Sequence, residues 1–411
     1  MKILCNESYL EKRKILLLGG SAQQLVAIRA AKAMGYFTVL CDYLPDNPGQ
    51  YEADAYYNVS TTDVEAVYDV ALKERVSGIL AYASDPAALP AAIVAERLGL
   101  PTNPSESVAI LGVKHKFREF LQTHQFACPQ TYSFHPGQSI ESIKQAIEHF
   151  TFPLVVKPTD SSGSKGVSII EDLKELNEAI RYADSYSRNK ILIAEEFITR
   201  GFPDVIGGDV FVWDGKIVLY GDMTCLRDDG GRSLVPIGER KPGGLNSLQT
   251  TRVHAELQRL VTVLGIRFGE LNIEILLDKE DEVHFLELGP RAGGNMIPLQ
   301  LSDAFGVDLV KANVAAAMGI SPDLTIQPKD GCFMTFVLHS HTDGCFSHVE
   351  YADEIAPCMY REVLYKQKGD KVEVFDGAGK AIGIVFLHID TEERMNDFCR
   401  RIDDLIKVIL Q

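Results

Sequence analysis

The first hundred residues alternate between short apolar runs and segments in which apolar residues recur with a helical period. Residues 15–18 are all apolar and end at a Gly-Gly-Ser turn (19–21), a helical pattern follows over 22–34, and the next apolar run is 37–41. A strand, a glycine turn, a helix and a second strand in this order form a βαβ unit, which requires a parallel sheet. The pattern therefore predicts an N-terminal doubly wound α/β domain over residues 1–106.

Near the middle of the chain, two short apolar runs flank a loop that is rich in glycine and serine. The first run, 154–156, ends at Lys157 and a proline, and the second begins at residue 167. The loop between them contains Ser161, Ser162, Gly163, Ser164, Lys165 and Gly166. Its free N–H groups can cradle an anion, and the lysines would complement a polyphosphate. The loop lacks the Walker A order and no helix follows it, so an ordinary hairpin loop is the alternative interpretation.

Two later apolar segments, 270–277 and 283–288, surround a polar turn and predict a pair of antiparallel strands. The first segment contains Glu274, and the second contains Glu287, which is followed closely by Arg291. A carboxylate in an apolar strand is costly unless it is paired or binds a cation. On adjacent antiparallel strands the two carboxylates can point to one face and hold a Mg²⁺. The alternative is a strand with one polar face, on which Glu274 is solvated.

The remaining segments predict further helices and antiparallel strands. Helical patterns cover residues 107–124, 139–149, 171–183, 250–264 and 309–318. A hairpin is predicted by the strand patterns at 210–213 and 216–220 around an Asp-Gly turn. The C-terminal segment, 321–411, has strand patterns near 332–339, 372–375 and 382–389 and a final helical pattern over 391–410. This last segment therefore reads as a small α+β domain.

Composition narrows the classes of function. The chain has 411 residues, 46% of them hydrophobic, and a net charge of −16, which is typical of a globular protein with several domains and argues against nucleic acid as a partner. We found no signal peptide pattern and no apolar run of membrane-spanning length, so a cytoplasmic protein without membrane partners is expected. The eight cysteines are scattered without a C-x-x-C pair, which favours reduced thiols over a metal cluster or a disulfide framework.

The first βαβ unit also raises the alternative of a nicotinamide-dependent dehydrogenase. In that interpretation Asp42, at the end of the second strand, would bind the ribose of the cofactor. The turn at 19–21 lacks the G-x-G spacing and the third glycine of the dinucleotide fingerprint. The edge of the sheet is better suited to another small ligand, and Asp42 and Asp85 are interpreted as turn residues.

Together, the glycine-rich loop, the paired carboxylates and the preceding α/β domain resemble the ATP-grasp superfamily along nearly the full chain. The resemblance implies a nucleotide held between two antiparallel sheets. It also implies a domain order, with an ATP-grasp domain over 107–320, a lid at about 152–212 and a small C-terminal domain over 321–411.

The resemblance further assigns the residues of the site. Lys114 and Lys157 resemble the phosphate-binding lysines, and the loop 161–166 resembles the flexible loop that covers the phosphates. The segment that would recognise adenine consists of Glu195, Glu196, Phe197 and Ile198. Glu274 and Glu287 occupy the places of the Mg²⁺-binding acids, and Arg291, with Lys157, that of the catalytic groups beside the transferring phosphoryl group.

Two features depart from the family pattern. Gly289 stands where the family commonly has an asparagine that ligates the metal, so water or another residue would have to complete the coordination shell. An insertion at 201–208 leaves two candidates for the ribose-binding acid, Asp204 and Asp209.

Within the superfamily the sequence looks most similar to the carboxylate–amine ligases, which include L-amino acid ligases, purine-pathway enzymes and, more distantly, biotin carboxylases. The resemblance implies ATP and Mg²⁺, or Mn²⁺, as cofactors, a small-molecule carboxylate and an amine as substrates, and a homodimer as a family-level expectation. A purine-biosynthetic enzyme with a phosphoribosyl substrate is one alternative, for which the turn at 19–21 could provide the phosphate pocket. A catalytically silent nucleotide-binding regulator is another.

Overall fold

The computed structural model describes residues 12–161, 163, 165–227 and 235–411. The N-terminal part contains β1 (Lys14–Leu18), α1 (Leu25–Ala33), β2 (Phe37–Asp42), β3 (Ala55–Asn58), α2 (Val64–Glu74), β4 (Gly78–Leu80) and α3 (Asp85–Arg97). The middle part contains α4 (Ser105–Leu111), α5 (Lys114–Thr123), β5 (Thr131–Phe134), α6 (Ile140–Ala146), β6 (Leu154–Pro158), β7 (Ser168–Ile170), α7 (Leu176–Tyr186), β8 (Leu192–Glu196), β9 (Val205–Trp213), β10 (Lys216–Arg227), β11 (Pro236–Lys241), α8 (Ser247–Leu264), β12 (Phe268–Leu277), β13 (Val283–Gly289), α9 (Ile297–Phe305) and α10 (Leu309–Ala317). The C-terminal part contains β14 (Cys332–Leu338), β15 (Gly344–Tyr351), β16 (Met359–Leu364), β17 (Lys371–Val372), β18 (Gly383–Ile389), α11 (Glu392–Arg400), α12 (Ile402–Leu405) and β19 (Ile406–Leu410).

The N-terminal strands form a parallel sheet with the order β3-β2-β1-β4. After Lys14, the four residues of β1 are all apolar and buried because helices cover both faces of the sheet. Leu16 and Leu18 pack with residues of α2 and α3, whereas Ile15 and Leu17 pack with α1 and α10. The predicted doubly wound sheet is confirmed.

A second, antiparallel sheet has the order β5-β8-β6-β7. Helices α6 and α7 cover one of its faces, where Ile143, Leu176 and Ile180 pack against Leu154 and Val156. The predicted lid at about 152–212 differs from this sheet at both ends. The sheet already includes β5 at Thr131, and β9 belongs to the next sheet.

The third sheet is also antiparallel and has the order β13-β12-β9-β10-β11-β14-β18-β16. Helix α8 packs on one face through residues such as Val253 and Leu257, and α9 and α10 pack on the other through Leu301 and Leu309. The sheet continues from the middle part into the C-terminal part through the pairing of β11 with β14. The C-terminal part adds the sheet β17-β15-β19 and the helices α11 and α12, in agreement with the predicted α+β architecture.

The helix predicted over 107–124 is interrupted between Leu111 and Lys114, at a glycine, and the helix predicted over 391–410 is wrong at its end. Residues Ile406–Leu410 form β19 because they are mostly β-branched and pair with β15. The sequence pattern also missed β15 and β16, in which mostly partly buried positions alternate with exposed ones, so that neither strand has a run of buried apolar residues.

Candidate active site

A cavity of about 210 Å³ lies between the second and third sheets. Its apolar lining comes from both sheets, with Val155 and Ile169 on one side and Leu276 and Leu286 on the other. Its charged lining includes Lys114, Lys157, Glu195, Glu196, Arg200, Arg227, Glu274 and Glu287. The cavity therefore has apolar walls of the kind that accept a flat ring, together with charged groups that suit a polyanion with a cation.

The two predicted phosphate-binding lysines both line this cavity. Lys114 is the first residue of α5, and its Nζ donates to the carbonyl oxygen of Ser161 at 2.6 Å and lies 3.4 Å from Glu287 Oε2. Lys157, near the end of β6, is buried and pairs with Glu195 on the neighbouring strand β8. Burial lowers the pKa of Lys157, and the positive charge of Arg118 lowers it further, while Glu195 opposes both effects.

Glu195 is the centre of a buried network of charges. Its carboxylate accepts from Lys157 and from Arg118 Nε, the latter at 3.0 Å. Arg118 also donates to the carbonyl oxygens of Phe285 and Leu286 in β13, each at 3.1 Å. Although burial opposes ionisation, the two cations lower the pKa of Glu195 to about 2. Glu195 therefore connects β8 to α5 and β6, and Arg118 extends this network to β13.

The other residues of the predicted adenine-binding segment line the same cavity. Glu196 Oε1 accepts from the backbone N–H of Thr151 at 2.7 Å, so part of its hydrogen-bonding capacity is used within the chain. Phe197 donates its backbone N–H to Pro153 at 3.0 Å. Ile198 follows outside the strand and adds an apolar side chain to the lining.

Glu274 and Glu287 lie directly opposite each other on β12 and β13, next to an irregularity in the pairing. Glu274 Oε2 lies 3.4 Å from Arg227 Nη2, and Glu287 is paired with Lys114. Burial raises the pKa of Glu274, Arg227 lowers it, and the negative charge of Glu287 raises it again. Two carboxylates that face one cavity are a suitable donor set for a hard divalent cation such as Mg²⁺.

The glycine-rich loop divides between two cavities. Ser161 and Gly163 line the first cavity, whereas Lys165 lines a second cavity of about 370 Å³ together with Gly163. Gly163 and Gly166 have φ values of +67° and +75°, which glycine adopts without strain. Ser161 Oγ donates to the carbonyl oxygen of Lys165 at 2.8 Å and closes the loop. Ser162 and Ser164, predicted in the same loop, lie outside the described residues.

Arg291 lines the second cavity rather than the first. Its guanidinium pairs with Asp85 at 2.6 Å, so it connects the loop after β13 to the first residue of α3 in the N-terminal sheet domain. A Cβ at Gly289 would lie 3.0 Å from the Cζ of Arg291 and 3.2 Å from Asp85 Oδ1. Gly289 therefore leaves room for this ion pair. The two cavities share Gly163, Pro236 and Glu274, and so they adjoin.

Neither candidate for the ribose-binding acid lines the first cavity. Asp204 pairs with Arg240 at 2.8 Å. Asp209 is buried in β9 and accepts from the backbone N–H of Gly293 at 2.7 Å and from Asn272 at 2.9 Å, and burial raises its pKa to about 6. Both carboxylates are used within the fold, and the assignment of the ribose-binding acid stays a prediction.

Sequence reasoning missed the partners of the predicted residues. Arg118 lies four residues after Lys114, on the same face of α5, and this spacing was the available signal. Asp85 was interpreted only as a turn residue, but it is the partner of Arg291. Arg227, which pairs with Glu274, lies next to the segment 228–234, which the structure does not describe. No sequence pattern connects either acid to its arginine.

Similarity to known proteins adds to this geometry. Residues 114–324 match the family described as the ATP-binding domain of the carbamoyl-phosphate synthase L chain. The chain is 24% identical over 331 residues to the carbamoyl phosphate synthase large chain of Thermotoga neapolitana. The aligned region covers 76% of this chain and 29% of that protein. It is 28% identical over 297 residues to the formate-dependent phosphoribosylglycinamide formyltransferase of Bacteroides thetaiotaomicron, covering 68% of this chain and 70% of that protein. The chain thus spans less than a third of the length of the first of these relatives.

Solved structures share the fold over almost the whole chain. The L-amino acid ligase from Bacillus licheniformis superposes with a TM-score of 0.81 at 20% identity and covers 97% of this chain and 99% of its own. The phosphoribosylglycinamide synthetase from Anaerococcus prevotii superposes with a TM-score of 0.78 at 18% identity, and the match covers 98% of this chain and 100% of that one. Among the described residues, no helix has the length and apolar character needed to cross a membrane.

Proposed function

The chain belongs to the family of the ATP-binding domain of the carbamoyl-phosphate synthase L chain, and with it to the ATP-grasp superfamily, and from this we propose that it is an ATP- and Mg²⁺-dependent carboxylate–amine ligase. In the first step a carboxylate attacks the γ-phosphate of ATP, which gives an acyl phosphate and ADP. In the second step an amine, R–NH₂, attacks the acyl carbon. An amide forms, the bond from carbon to the phosphate oxygen breaks, and one N–H proton leaves with the phosphate.

The observation that carries this proposal is the convergence of two lysines and two carboxylates at one cavity between antiparallel sheets. Lys114 and Lys157 supply positive charge for the phosphates, and the apolar residues Leu276 and Leu286 suit the base. Glu274 and Glu287 would hold Mg²⁺, which neutralises charge on the phosphates when it is bound. Phosphoryl transfer depends mainly on such positioning and charge stabilisation, so this arrangement supports the first step.

The second cavity is the place where the carboxylate substrate would bind. It adjoins the first at Gly163 and Glu274, so a carboxylate there would lie beside the terminal phosphate. Arg291 and Lys165 line it and would bind anionic groups. We assign Arg291 the role of stabilising the transferring phosphoryl group and Lys157 that of neutralising it. The ion pair with Asp85 positions the arginine before substrate arrives.

The proposal also covers the setting of the enzyme. The substrates would be a small-molecule carboxylate and a small-molecule amine, and the protein would act in the cytoplasm as a homodimer. The domain limits 1–106, 107–320 and 321–411 remain part of the proposal, with the second sheet acting as the lid.

The test is a panel of amino acids and small carboxylic acids, each with ATP, Mg²⁺ and hydroxylamine. Hydroxylamine intercepts an acyl phosphate as a hydroxamate, whatever the natural amine is. We expect ADP, phosphate and hydroxamate together for at least one acid. ADP without hydroxamate would indicate an ATPase or transfer to another group, and ATP binding without ADP would indicate a regulator.

A purine-pathway enzyme is the second candidate, since the relative that shares 28% identity acts on phosphoribosylglycinamide by its name. The turn at 19–21 offers little to a phosphate. Gly19 donates its N–H to Cys41, Gly20 to Asp42 Oδ2 and Ser21 to Gln24 Oε1, so these three donors are used within the chain. Adding formate with phosphoribosylglycinamide to the panel tests this candidate directly. ADP release with that pair alone would favour it.

A further inference from the structure

The second cavity contains a carboxyl group that the proposed reaction does not yet use. Glu239, in β11, lines this cavity and is only 5% exposed. Its Oε2 atom is buried and has no hydrogen-bond partner among the described residues. No lysine, arginine or histidine of the described residues forms an ion pair with it. A buried carboxyl without a cation is costly to keep, and such groups often mark functional sites.

Side chains from two other elements hold the backbone of Glu239 through hydrogen bonds. The Glu239 N–H donates to Thr335 Oγ1 at 3.1 Å, and Gln300 Nε2 donates to the Glu239 carbonyl oxygen at 2.9 Å. Thr335 and Gln300 are themselves hydrogen bonded at 3.0 Å. Across the sheet, Gly207 leaves space for the carboxyl group, because a Cβ there would lie 3.0 Å from Oε2. The site is therefore preorganised around this carboxyl.

A second acceptor faces the same cavity. Asn295 lines it, and its Oδ1 atom is buried and has no hydrogen-bond partner among the described residues. The Asn295 backbone N–H donates to Gln23 Oε1 at 2.9 Å, which ties this loop to the N-terminal domain. Two acceptor oxygens without donors call for a ligand that brings several N–H donors, and a positive charge would also compensate the buried acid.

We propose that Glu239 and Asn295 bind the ammonium group of the amine substrate, as specificity-determining residues of the second cavity. This rests on the proposed ligase function and deepens it. A primary aliphatic amine carries three N–H donors in its charged form, which match a carboxylate and an amide oxygen. The bound ammonium then gives one proton to the Glu239 carboxylate, and the resulting neutral amine attacks the acyl carbon. The site selects against alcohols, thiols and aromatic amines, because these are uncharged at neutral pH. The neighbouring wall with Glu274 and Gly163 holds this amine next to the first cavity, where the acyl phosphate forms.

The environment agrees with this assignment. Burial raises the pKa of Glu239 to about 8, and the negative charges of Glu274 and Asp209 also raise it, whereas hydrogen bonding by Cys225 and the charge of Arg227 lower it. An ammonium group would add positive charge next to this carboxyl, where burial and two neighbouring acids disfavour its ionised form.

The experiment separates activation of the carboxylate from binding of the amine. Positional isotope exchange in labelled ATP, with the carboxylate that the panel identifies and no amine, reports the first step alone. Steady-state rates against a primary amine report the second. For Glu239→Gln we expect exchange within about twofold of wild type and a KM for the amine raised about tenfold or more, as for loss of one charged hydrogen bond.

Two further variants provide a second test of the amine site and a matched control. Asn295→Gly removes the other acceptor at a position where φ is +49°, which glycine tolerates, and should raise the same KM with exchange retained. Glu270→Gln is the matched control, because Glu270 is equally buried, also has an oxygen without a partner, and does not line the second cavity. It should change neither readout.

An unchanged KM in both Glu239→Gln and Asn295→Gly would overturn the inference while leaving the ligase function intact. Loss of exchange in a folded Glu239→Gln protein would also overturn it, since the residue would then act in the first step. Wild-type protein that shows no exchange with any carboxylate of the panel would overturn the proposed function and this inference together.

Discussion

Replacing Glu195 by glutamine removes the one negative charge that two buried cations share. Glu195 is 3% exposed, Arg118 is 1% exposed, and Lys157 is 7% exposed, so solvent screens the network weakly. Glutamine keeps the shape of the side chain and one acceptor oxygen but not the charge. We expect the variant to lose a large part of its free energy of unfolding at pH 7, because a cation left buried without its partner is strongly unfavourable.

The pKa of Glu195 provides the magnitude. A fall from 4.5 in the unfolded chain to about 2 in the folded protein corresponds to about 3 kcal/mol of stability at pH 7. Removing one partner of a buried ion pair typically costs about 3–5 kcal/mol, in agreement. Because the folded pKa is the lower one, this contribution is complete above pH 4.5 and is lost as the pH falls towards 2. About 2 kcal/mol should remain at pH 3.5.

Urea unfolding of wild type and Glu195→Gln at pH 7, 5 and 3.5 measures this difference. Glu196→Gln is the matched control, since Glu196 is the next residue of β8 and is partly exposed, and it should cost less than about 1 kcal/mol. A loss below about 1 kcal/mol for Glu195→Gln, or one that does not shrink between pH 5 and 3.5, would refute the reasoning.

Three further predictions concern the two cavities. Glu274→Gln and Glu287→Gln should each abolish Mg²⁺-dependent ADP release, and near-normal turnover in both would contradict the metal assignment. Gly289→Asn should lower turnover at least about tenfold, because its Cβ would press on Arg291 at 3.0 Å and Asp85 at 3.2 Å, and tighter Mg²⁺ binding with full activity would argue against this. Arg291→Ala should raise the activation barrier by about 3 kcal/mol, so that formation of ADP and of hydroxamate slow together while ATP binding persists. Rates equal to those of wild type would exclude a role at the phosphoryl group.

The sequence could predict those parts of the site in which local pattern and chemistry coincide. Glu274 and Glu287 are carboxylates in apolar strands, and an ionisable group at such a position needs a partner wherever the strand lies. Lys157 ends a buried strand next to a glycine-rich loop, which limits where its charge can go. The parallel sheet could be predicted for the same reason, because runs that are apolar at each position require cover on both faces.

The rest depends on contacts between distant segments, which no local pattern encodes. The partner of Arg291 is 206 residues away at Asp85, and that of Arg118 is 77 residues away at Glu195. Glu239 is also a buried acid in a strand, but it stands between Gly238 and Arg240, so no apolar run marks it, and its cavity is assembled from residues of three parts of the chain. The final strand was misread because five residues are too few to distinguish a helix end from a strand.

The chain is acidic overall, but cations line the first cavity, and three of them are each paired with a carboxylate from another segment. Lys114 is paired with Glu287, Lys157 with Glu195, and Arg227 with Glu274. The pair of Lys157 is buried and stays fixed, whereas Glu287 and Glu274 are each 35% exposed at the side chain and can exchange partners. When phosphates draw Lys114 away, Glu287 loses its countercharge beside a second carboxylate that already disfavours ionisation. Phosphate binding to Lys114 therefore makes the two carboxylates a stronger cation site. As a result, nucleotide and Mg²⁺ should each bind more tightly when the other is present.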